Sequence, residues 1–303
     1  MAGQLEPPRD LRRGYPTLRR GVVLYARADD LVRRAQDRAR RWAEDLLGEA
    51  LSPDEQADLG VHLYAASPPG AGAPADLWPW ERAWFQRRLP LPPAALLLGG
   101  AGAGREAAAL TQLGYRVDAF EPVAALQPRC AAAVGPEGEA LVGTYQDLAR
   151  SVLTGEPGPL YRFAGHKYQA VIFGWGSFTH VLEERERQET LVACARLAPA
   201  GPILASFWMR GGGQAATAGA SASASASASG GSDEAPSRAR QVGRLIARLR
   251  GSRANRARHA FGTWCGFAHV FSREEIESLA ASIDRRVQWE ADPGTTYPHV
   301  TLV

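Results

Sequence analysis

Short apolar runs alternate with helix-like segments through the middle of this chain, and that alternation constrains the fold more than any other feature. The runs occupy residues 94–100, 115–122, 139–144, 168–175 and 201–208. The segments between them include an alanine-rich stretch at 105–113 and a charged stretch at 182–197. Strands buried in a parallel sheet read as short apolar runs, and strands that alternate with helices form layered α/β sheets. We therefore predict a doubly wound, mostly parallel sheet.

The end of the chain adds a different element to that sheet. Ser272 with Glu275 three residues later predicts a capped helix. Two strand-like segments follow, at 286–291 and 297–303, and turn-forming residues join them. A helix followed by a hairpin predicts that the sheet ends in antiparallel strands.

The composition is that of an ordinary globular protein. Hydrophobic residues make up 45% of the 303 residues and charged residues 22%, so wholesale disorder is excluded. No apolar run approaches the ~18 residues of a membrane-spanning helix, and the first residues lack the apolar core of a secretory signal, so we expect a cytoplasmic protein. The 3 cysteines are widely spaced, which argues against a disulfide framework and a structural zinc site. We expect no metal.

The chain divides into two predicted domains. Residues 1–90 are rich in arginine and in helix-like segments, and they predict a helical N-terminal cap. Within that cap, Ser52 and Glu55 form the pattern of a capping box at the start of a helix. Residues 91–303 hold the predicted sheet.

An insertion at 209–262 interrupts the sheet domain. Its first part, residues 211–235, is dominated by a low-complexity run of alanine, serine and glycine, which predicts a disordered linker. Its second part, residues 238–258, contains eight arginines and no acidic residue, and it predicts a basic amphipathic helix. The apolar face of that helix is formed by Val242, Leu245, Ile246 and Leu249.

Three roles are open for the basic helix. It can dock as a lid over a ligand cleft, steer an RNA towards the site, or lie on a membrane surface. Aromatic residues between the arginines would favour RNA, and none occurs before Phe261. The net charge of +3 is also too small to indicate a nucleic-acid partner by itself. We therefore favour the lid.

The strongest motif is the glycine-rich turn that follows the first apolar run. Gly100, Gly102 and Gly104 lie between that run and a helix-like segment, where glycine lets the backbone turn tightly and approach a ligand. Glu121 ends the next run, where a carboxylate can accept hydrogen bonds from both hydroxyls of a ribose. Together the turn and the acid predict a cofactor that contains adenosine.

The turn alone leaves the kind of cofactor open. The dinucleotide pattern GxGxxG fails from Gly100, because Arg105 occupies its last position. The variant GxGxxA fits Gly102, Gly104 and Ala107, so the turn does not exclude a nicotinamide cofactor. A persuasive hydride-transfer pair is missing, and that makes a nicotinamide-dependent reductase a distant alternative.

Residues 94–208 and 268–303 resemble a class I S-adenosylmethionine-dependent methyltransferase. The resemblance covers about two thirds of the chain and rests on the ordered motifs just described and on the closing hairpin. It implies a Rossmann-like fold and S-adenosylmethionine as the cofactor. It further implies that the three glycines hold the methionine end of the cofactor and that Glu121 binds the ribose.

The resemblance also assigns residues after the third and fourth strands. It implies that Tyr145, Gln146 and Asp147 contact the adenine. Gly174 and Trp175, after the fourth strand, are implied to lie beside the cofactor's reactive methyl group.

One position departs from the pattern of that family. Its members commonly carry an acid two residues before the first glycine of the turn, and this chain has Leu98 there. The contact with the ammonium group of the cofactor must therefore come from backbone carbonyls or from another side chain. Arg105 and Glu106, directly after the turn, are the candidates.

Catalysis of methyl transfer requires a base only when the acceptor must lose a proton. His180, shortly after the fourth strand, is the first candidate for that base, because histidine titrates near neutral pH. Its alternative role is to orient the loop. His269 is a second candidate, and Ser177 is expected to line the methyl channel or to shape the turn.

These observations predict a methyltransferase that acts on an oxygen or nitrogen of a small-molecule metabolite. The [DN]PP[YF] signature of enzymes that methylate nucleobases or amides is absent after the fourth strand. Two alternatives stay open: an RNA methyltransferase that uses the arginine-rich segment, and a non-catalytic cofactor-binding module of the same fold. The oligomeric state is not predicted.

Overall fold

This computed structural model describes residues 11–66, 76–209, 237–251, 259–262, 264–292 and 298–303. The linker predicted at 211–235 lies outside the described residues, as does the end of the predicted basic helix at 252–258.

A seven-stranded sheet forms the centre of the fold. Its strands are β1 (Ala95–Gly99), β2 (Arg116–Glu121), β3 (Ala140–Val142), β4 (Ala170–Phe173), β5 (Ile203–Ser206), β8 (Val287–Trp289) and β9 (His299–Leu302). They lie in the order β3-β2-β1-β4-β5-β9-β8. The first five are parallel, and β9 pairs antiparallel with both β5 and β8. The predicted doubly wound, Rossmann-like sheet with an antiparallel end is confirmed.

Helices cover both faces of this sheet. The helices of the sheet unit are α2 (Pro53–Ala66), α3 (Pro79–Arg88), α4 (Arg105–Gln112), α5 (Gln127–Val134), α6 (Tyr145–Thr154), α7 (Tyr161–Ala164), α8 (Glu184–Leu197) and α10 (Arg273–Ala281). Because successive strand residues point to opposite faces, Leu97 joins one hydrophobic core, whereas Leu96 and Leu98 join the other. The second core includes Trp84 of α3, whose indole N–H donates to Thr301 Oγ1 at 3.0 Å.

The predicted helix caps are confirmed at Ser52 and only half confirmed at Ser272. Ser52 and Glu55 exchange both hydrogen bonds of a capping box. Ser272 Oγ accepts from the N–H of Glu275 at 3.1 Å, but the Glu275 carboxylate bonds to His269 and Arg187. The Glu275 carboxylate is therefore bound by His269 and Arg187 and does not accept the backbone N–H of Ser272, as a complete capping box requires.

A small two-stranded sheet was not predicted. It consists of β6 (Ala260–Gly262) and β7 (Gly266–Ala268), which pair antiparallel. The backbone of α2 lies against β7, since a Cβ at Gly266 would lie 2.6 Å from the Cα of Gly60. Strands of three residues give too short a pattern for sequence periodicity to reveal.

Two helices form a separate compact unit: α1 (Leu11–Ala50) and α9 (Arg238–Arg250). Arg240 of α9 pairs with Asp45 of α1 at 2.7 Å, and Arg244 pairs with Glu49 at 3.0 Å. Compactness alone does not define a domain boundary, so the predicted boundary after residue 90 stays a prediction.

The contact between α1 and α9 uses a different face of α9 from the one that the hydrophobic spacing predicts. Its buried residues are Ala239, Gly243 and Ala247. A Cβ at Gly243 would lie 2.6 Å from the carbonyl oxygen of Leu46, so small residues let the two backbones approach. Of the predicted apolar face, Val242, Leu245 and Leu249 are exposed and Ile246 is half-buried. The lid role of this helix stays a prediction.

The three cysteines are buried and reduced, as expected of small hydrophobic residues. In the described ranges, no helix combines the length and the apolar character that crossing a membrane requires.

Candidate functional site

The glycine turn, residues 99–106, joins β1 to α4 and forms the centre of the candidate site. Gly100, Gly102 and Gly104 have φ angles of +63°, +56° and +89°, in the left-handed region that glycine adopts without strain. A Cβ at Gly100 would lie 2.4 Å from the Cβ of Ser177. Both the backbone angle and the space therefore require glycine at position 100.

The carboxylate of Glu121 supports this turn from the end of β2. Its Oε2 accepts a hydrogen bond from the N–H of Gly102 at 2.7 Å, and its Oε1 accepts one from Val123 at 3.0 Å. Burial raises the pKa of Glu121, although the two backbone hydrogen bonds oppose that rise. A carboxylate has about four acceptor positions. Two therefore remain for the hydroxyl groups of a ligand.

The loop after β4 is hydrogen-bonded to the glycine turn. The N–H of Gly174 donates to the carbonyl oxygen of Gly99 at 2.8 Å, and a Cβ at Gly174 would lie 2.5 Å from the Gly100 oxygen. The N–H of Trp175 donates to Glu106 Oε1 at 3.2 Å. Because β1 lies between β2 and β4, turn and loop meet where the strand order reverses, which is the ligand-binding edge of open α/β sheets.

Tyr145, one of the three residues implied for adenine, lies in the hydrophobic core under the turn. Its ring packs edge-on against Phe120 and Phe173, with centroid distances of 5.1 and 5.2 Å. Its hydroxyl lies 2.6 Å from Ser177 Oγ, and burial raises its pKa well above the usual value. The structure thus gives Tyr145 a packing position.

Gln146 and Asp147 have different surroundings. The carboxylate of Asp147 accepts the N–H of Thr144 at 3.0 Å, and Thr144 Oγ1 accepts the N–H of Asp147, so this pair caps α6. Gln146 is half-buried, and its amide donates to Glu186 at 2.8 Å. Asp147 therefore has a capping position, and an adenine contact by Gln146 stays a prediction.

His180 ends a short 3₁₀ turn, Ser177–His180, after β4. Its Nδ1 lies 3.0 Å from the carbonyl oxygen of Phe267 in β7. A carbonyl only accepts, so Nδ1 carries the proton and Nε2 the lone pair. Burial lowers the pKa of His180 more than this hydrogen bond raises it, so the ring is neutral near pH 7. No partner for Nε2 occurs among the described residues, and Nε2 can act as a base.

Tyr64 of α2 lies over the glycine turn, and the sequence analysis missed it. Its hydroxyl is 3.5 Å from the position of a Cβ at Gly102. Burial and then the charges of Glu121 and Glu106 raise its pKa, so the hydroxyl faces the same acidic space. The sequence does contain one signal for this contact. Gly60 lies four residues earlier in the same helix, and a glycine inside a helix indicates close approach of another backbone.

A buried ion network behind the turn was also missed. Arg105 donates to both carboxylate oxygens of Glu81, at 2.6 and 2.7 Å, and to Glu106 Oε1 at 2.9 Å. Burial lowers the pKa of Arg105, but the two carboxylates outweigh it and raise that pKa. Burial raises the pKa of Glu81. The network joins the start of α4 to the start of α3. Because Arg105 and Glu81 are far apart in the chain, no local sequence pattern indicates this contact.

The histidine region, which we define as His180, His259 and His269, includes the last residue of the 3₁₀ turn. The rings of His259 and His269 lie 5.6 Å apart between centroids. His269 donates its backbone N–H to the carbonyl oxygen of Thr179 at 2.7 Å, and its Nε2 lies 2.8 Å from Glu275. Its Nδ1 and both ring nitrogens of His259 are buried without hydrogen-bond partners among the described residues. His269 is therefore held in the orientation of a base, like His180.

Comparisons with known proteins give structural neighbours only. Neither a protein-family model nor a curated protein matches this chain. The CcbJ methyltransferase from Streptomyces caelestis has 14% identity and a TM-score of 0.46 over 74% of this chain and 88% of that one. A magnesium protoporphyrin IX methyltransferase from Synechocystis, crystallised with SAM, has 14% identity and a TM-score of 0.41 over 73% of each chain.

A third neighbour spans the whole chain. The SAM-bound amino pentose methyltransferase of calicheamicin biosynthesis from Micromonospora echinaspora has 13% identity and a TM-score of 0.43 over 100% of this chain and 99% of that one. The fold of the present chain rests on its own sheet order. No group of three or more histidines, cysteines or acids suited to a metal occurs in the described part of the chain.

Proposed function

We propose that this chain is an S-adenosylmethionine-dependent methyltransferase that methylates an oxygen or nitrogen of a small molecule. The observation that carries the proposal is the glycine turn with Glu121 beneath it, at the reversal of strand order. In such an arrangement a polar ligand can approach the backbone of the turn closely, and the carboxylate can accept hydrogen bonds from two neighbouring hydroxyl groups.

The residues present fit the cofactor. A Cβ at Gly100 would lie 2.4 Å from the Cβ of Ser177, and one at Gly174 would lie 2.5 Å from the Gly100 oxygen, so glycine at both positions lets the turn and the loop after β4 approach each other. The remaining acceptor positions of Glu121 suit the two ribose hydroxyls. The space at Gly102, where an added Cβ would lie 3.5 Å from the Tyr64 hydroxyl, suits the methionine end. When bound, the cofactor supplies an electrophilic methyl group on a sulfonium.

The protein's own part in the reaction is mainly positioning. Holding two reactants in line can supply roughly 7–11 kcal/mol of the barrier reduction. His180 is the favoured base, because its protonated Nδ1 is fixed on Phe267 and its Nε2 keeps a lone pair. His269, oriented by Glu275, is the second candidate, since its Nδ1 keeps a lone pair when Nε2–H donates to the carboxylate.

A small acceptor is favoured over RNA. The RNA alternative depends on free positive charge along α9, but Arg240 and Arg244 form ion pairs with Asp45 and Glu49. Those pairs neutralise part of the charge that phosphate binding needs.

The first experiment is a calorimetric titration of the protein with S-adenosylmethionine and S-adenosylhomocysteine, with NADH as a control. We expect micromolar binding of the first two ligands alone. Glu121→Gln should weaken both affinities by about 10- to 100-fold, because it removes charge-assisted hydrogen bonds. Glu137→Gln, at an exposed acid, is the matched control.

Methyl transfer is then assayed with labelled S-adenosylmethionine and a panel of small phenols, carboxylic acids and amines. Binding of neither adenosyl ligand to the folded wild type contradicts the proposal, and so does unchanged affinity in Glu121→Gln. Binding without transfer to any acceptor favours the non-catalytic alternative.

A further inference from the structure

Buried acids outnumber their cationic partners at the glycine turn in the part of the chain that the structure describes. Glu81, Glu106 and Glu121 lie at the turn or against it, and all three are more than nine-tenths buried. Arg105 forms ion pairs with the first two, and no other cation pairs with any of the three among the described residues. Burial of uncompensated negative charge is unfavourable. The turn therefore favours a ligand that brings positive charge.

Glu106 is the carboxylate with a free oxygen. Its Oε1 accepts from Arg105 at 2.9 Å and from the N–H of Trp175 at 3.2 Å. Its Oε2 makes no hydrogen bond with the described residues, although its side chain is only 7% exposed. After burial, the charge of Glu106 contributes to the raised pKa of both Tyr64 and Glu121. Glu106 therefore shares with these two residues the space over the turn.

The strand that leads into the turn offers no acid for a cationic ligand. Leu96, Leu97 and Leu98 are fully buried in the two hydrophobic cores. The methionine end of S-adenosylmethionine carries an α-ammonium group, and a carboxylate is the strongest acceptor for an ammonium that leaves water.

On the basis of the function proposed above, we propose that Glu106 binds the α-ammonium group of the cofactor through Oε2, while Arg105 and the Trp175 N–H hold Oε1. Arg105 occupies only one oxygen of Glu106, so it orients the carboxylate and leaves the other oxygen for the ligand. The same contact joins the cofactor to the loop after β4, because Trp175 belongs to that loop.

The test compares two ligands on two proteins. S-adenosylhomocysteine carries the ammonium, whereas 5′-methylthioadenosine has the adenosine and sulfur but lacks the amino-acid end. Both are titrated by calorimetry into wild type and Glu106→Gln, whose amide oxygen can still accept from Arg105 and Trp175. We expect Glu106→Gln to weaken S-adenosylhomocysteine by about 10- to 100-fold and 5′-methylthioadenosine by less than about 3-fold.

Equal losses for the two ligands, or no loss for S-adenosylhomocysteine, would overturn this assignment. Failure of both ligands to bind the wild type contradicts the proposed function instead, so the two failures are distinguishable. Glu106→Asp keeps the charge on a shorter side chain and covers the case in which Glu106→Gln does not fold. Its loss should again be confined to S-adenosylhomocysteine, and Glu137→Gln should bind both ligands like the wild type.

Discussion

The glycine turn and the histidine region handle their buried polar groups in opposite ways. At the turn, Glu81, Glu106 and Glu121 accept hydrogen bonds from backbone N–H groups or from Arg105. In the histidine region, three ring nitrogens of His259 and His269 are buried without partners among the described residues. Each unsatisfied buried group costs about 1–3 kcal/mol. The carboxylates of the turn are therefore held in fixed orientations, whereas the unpaired ring nitrogens of the histidine region are energetically unfavourable in the structure as it stands.

The largest effect is expected from the base. His180→Ala should lower turnover by about 100- to 10,000-fold, the usual range for general-base catalysis, with the acceptor found in the methyl-transfer assay. Cofactor affinity, measured by calorimetry, should stay within about 3-fold, since the ring bonds to Phe267 of β7 and not to the turn.

His180→Asn separates catalysis from loop orientation. Its amide can replace the Nδ1–H donor to Phe267 but cannot accept a proton from the acceptor. If His180 is the base, both variants are equally slow. Restored turnover in His180→Asn would show instead that the residue only orients the loop.

A backbone change should break the turn itself. In Gly100→Ala, the alanine must adopt a positive φ, which costs about 1–2 kcal/mol, and its Cβ would lie 2.4 Å from the Cβ of Ser177. We therefore expect the unfolding free energy to fall by about 2–4 kcal/mol. Gly155→Ala is the matched control, because its φ is +73° and nothing lies within 4 Å of the added Cβ. Equal losses in urea unfolding would refute the close fit at Gly100.

The smallest effect concerns pH. Burial, followed by the charges of His269 and Arg187, lowers the pKa of His259 to about 4, although Glu275 opposes this. Between pH 6.5 and pH 4, His259 binds a proton in the unfolded state but not in the folded state. The unfolding free energy therefore falls as the pH falls through this range. The loss attributable to this group is about 2 kcal/mol at pH 5.

His259→Phe removes that titration. Its unfolding free energy, measured in urea at pH 7 and pH 5, should fall by about 2 kcal/mol less than that of the wild type. The same pH dependence in both proteins would mean that folding does not lower the pKa of His259.

Features that depend on neighbouring residues could be predicted from the sequence, and features that depend on distant residues could not. The glycine turn, the strand ends and the cap at Ser52 depend on neighbouring residues, so their patterns were readable. Tyr64 reaches the turn only because α2 lies on β7, and Glu275 leaves its helix start for His269. Such contacts join residues that are distant in the chain, where no local spacing records them.

The sequence did not show which face of α9 contacts α1, for a related reason. Hydrophobic spacing finds the residues with the most apolar surface, here Leu245 and Leu249. The helix instead contacts α1 through Gly243, where backbone approach decides the packing. Small residues give almost no hydrophobic signal, so a contact built on them is invisible to periodicity.

The place of β9 in the sheet has a consequence for how the protein folds. β9 lies between β5 and β8, and its partner Ser206 precedes it by almost a hundred residues. The five parallel strands can assemble before residue 299 has been synthesised, but β5 then has a bare, apolar edge. An exposed edge of this kind is a template for pairing with another chain. Until β9 arrives, the nascent protein is therefore open to aggregation, and closing so long a loop makes that interval slow.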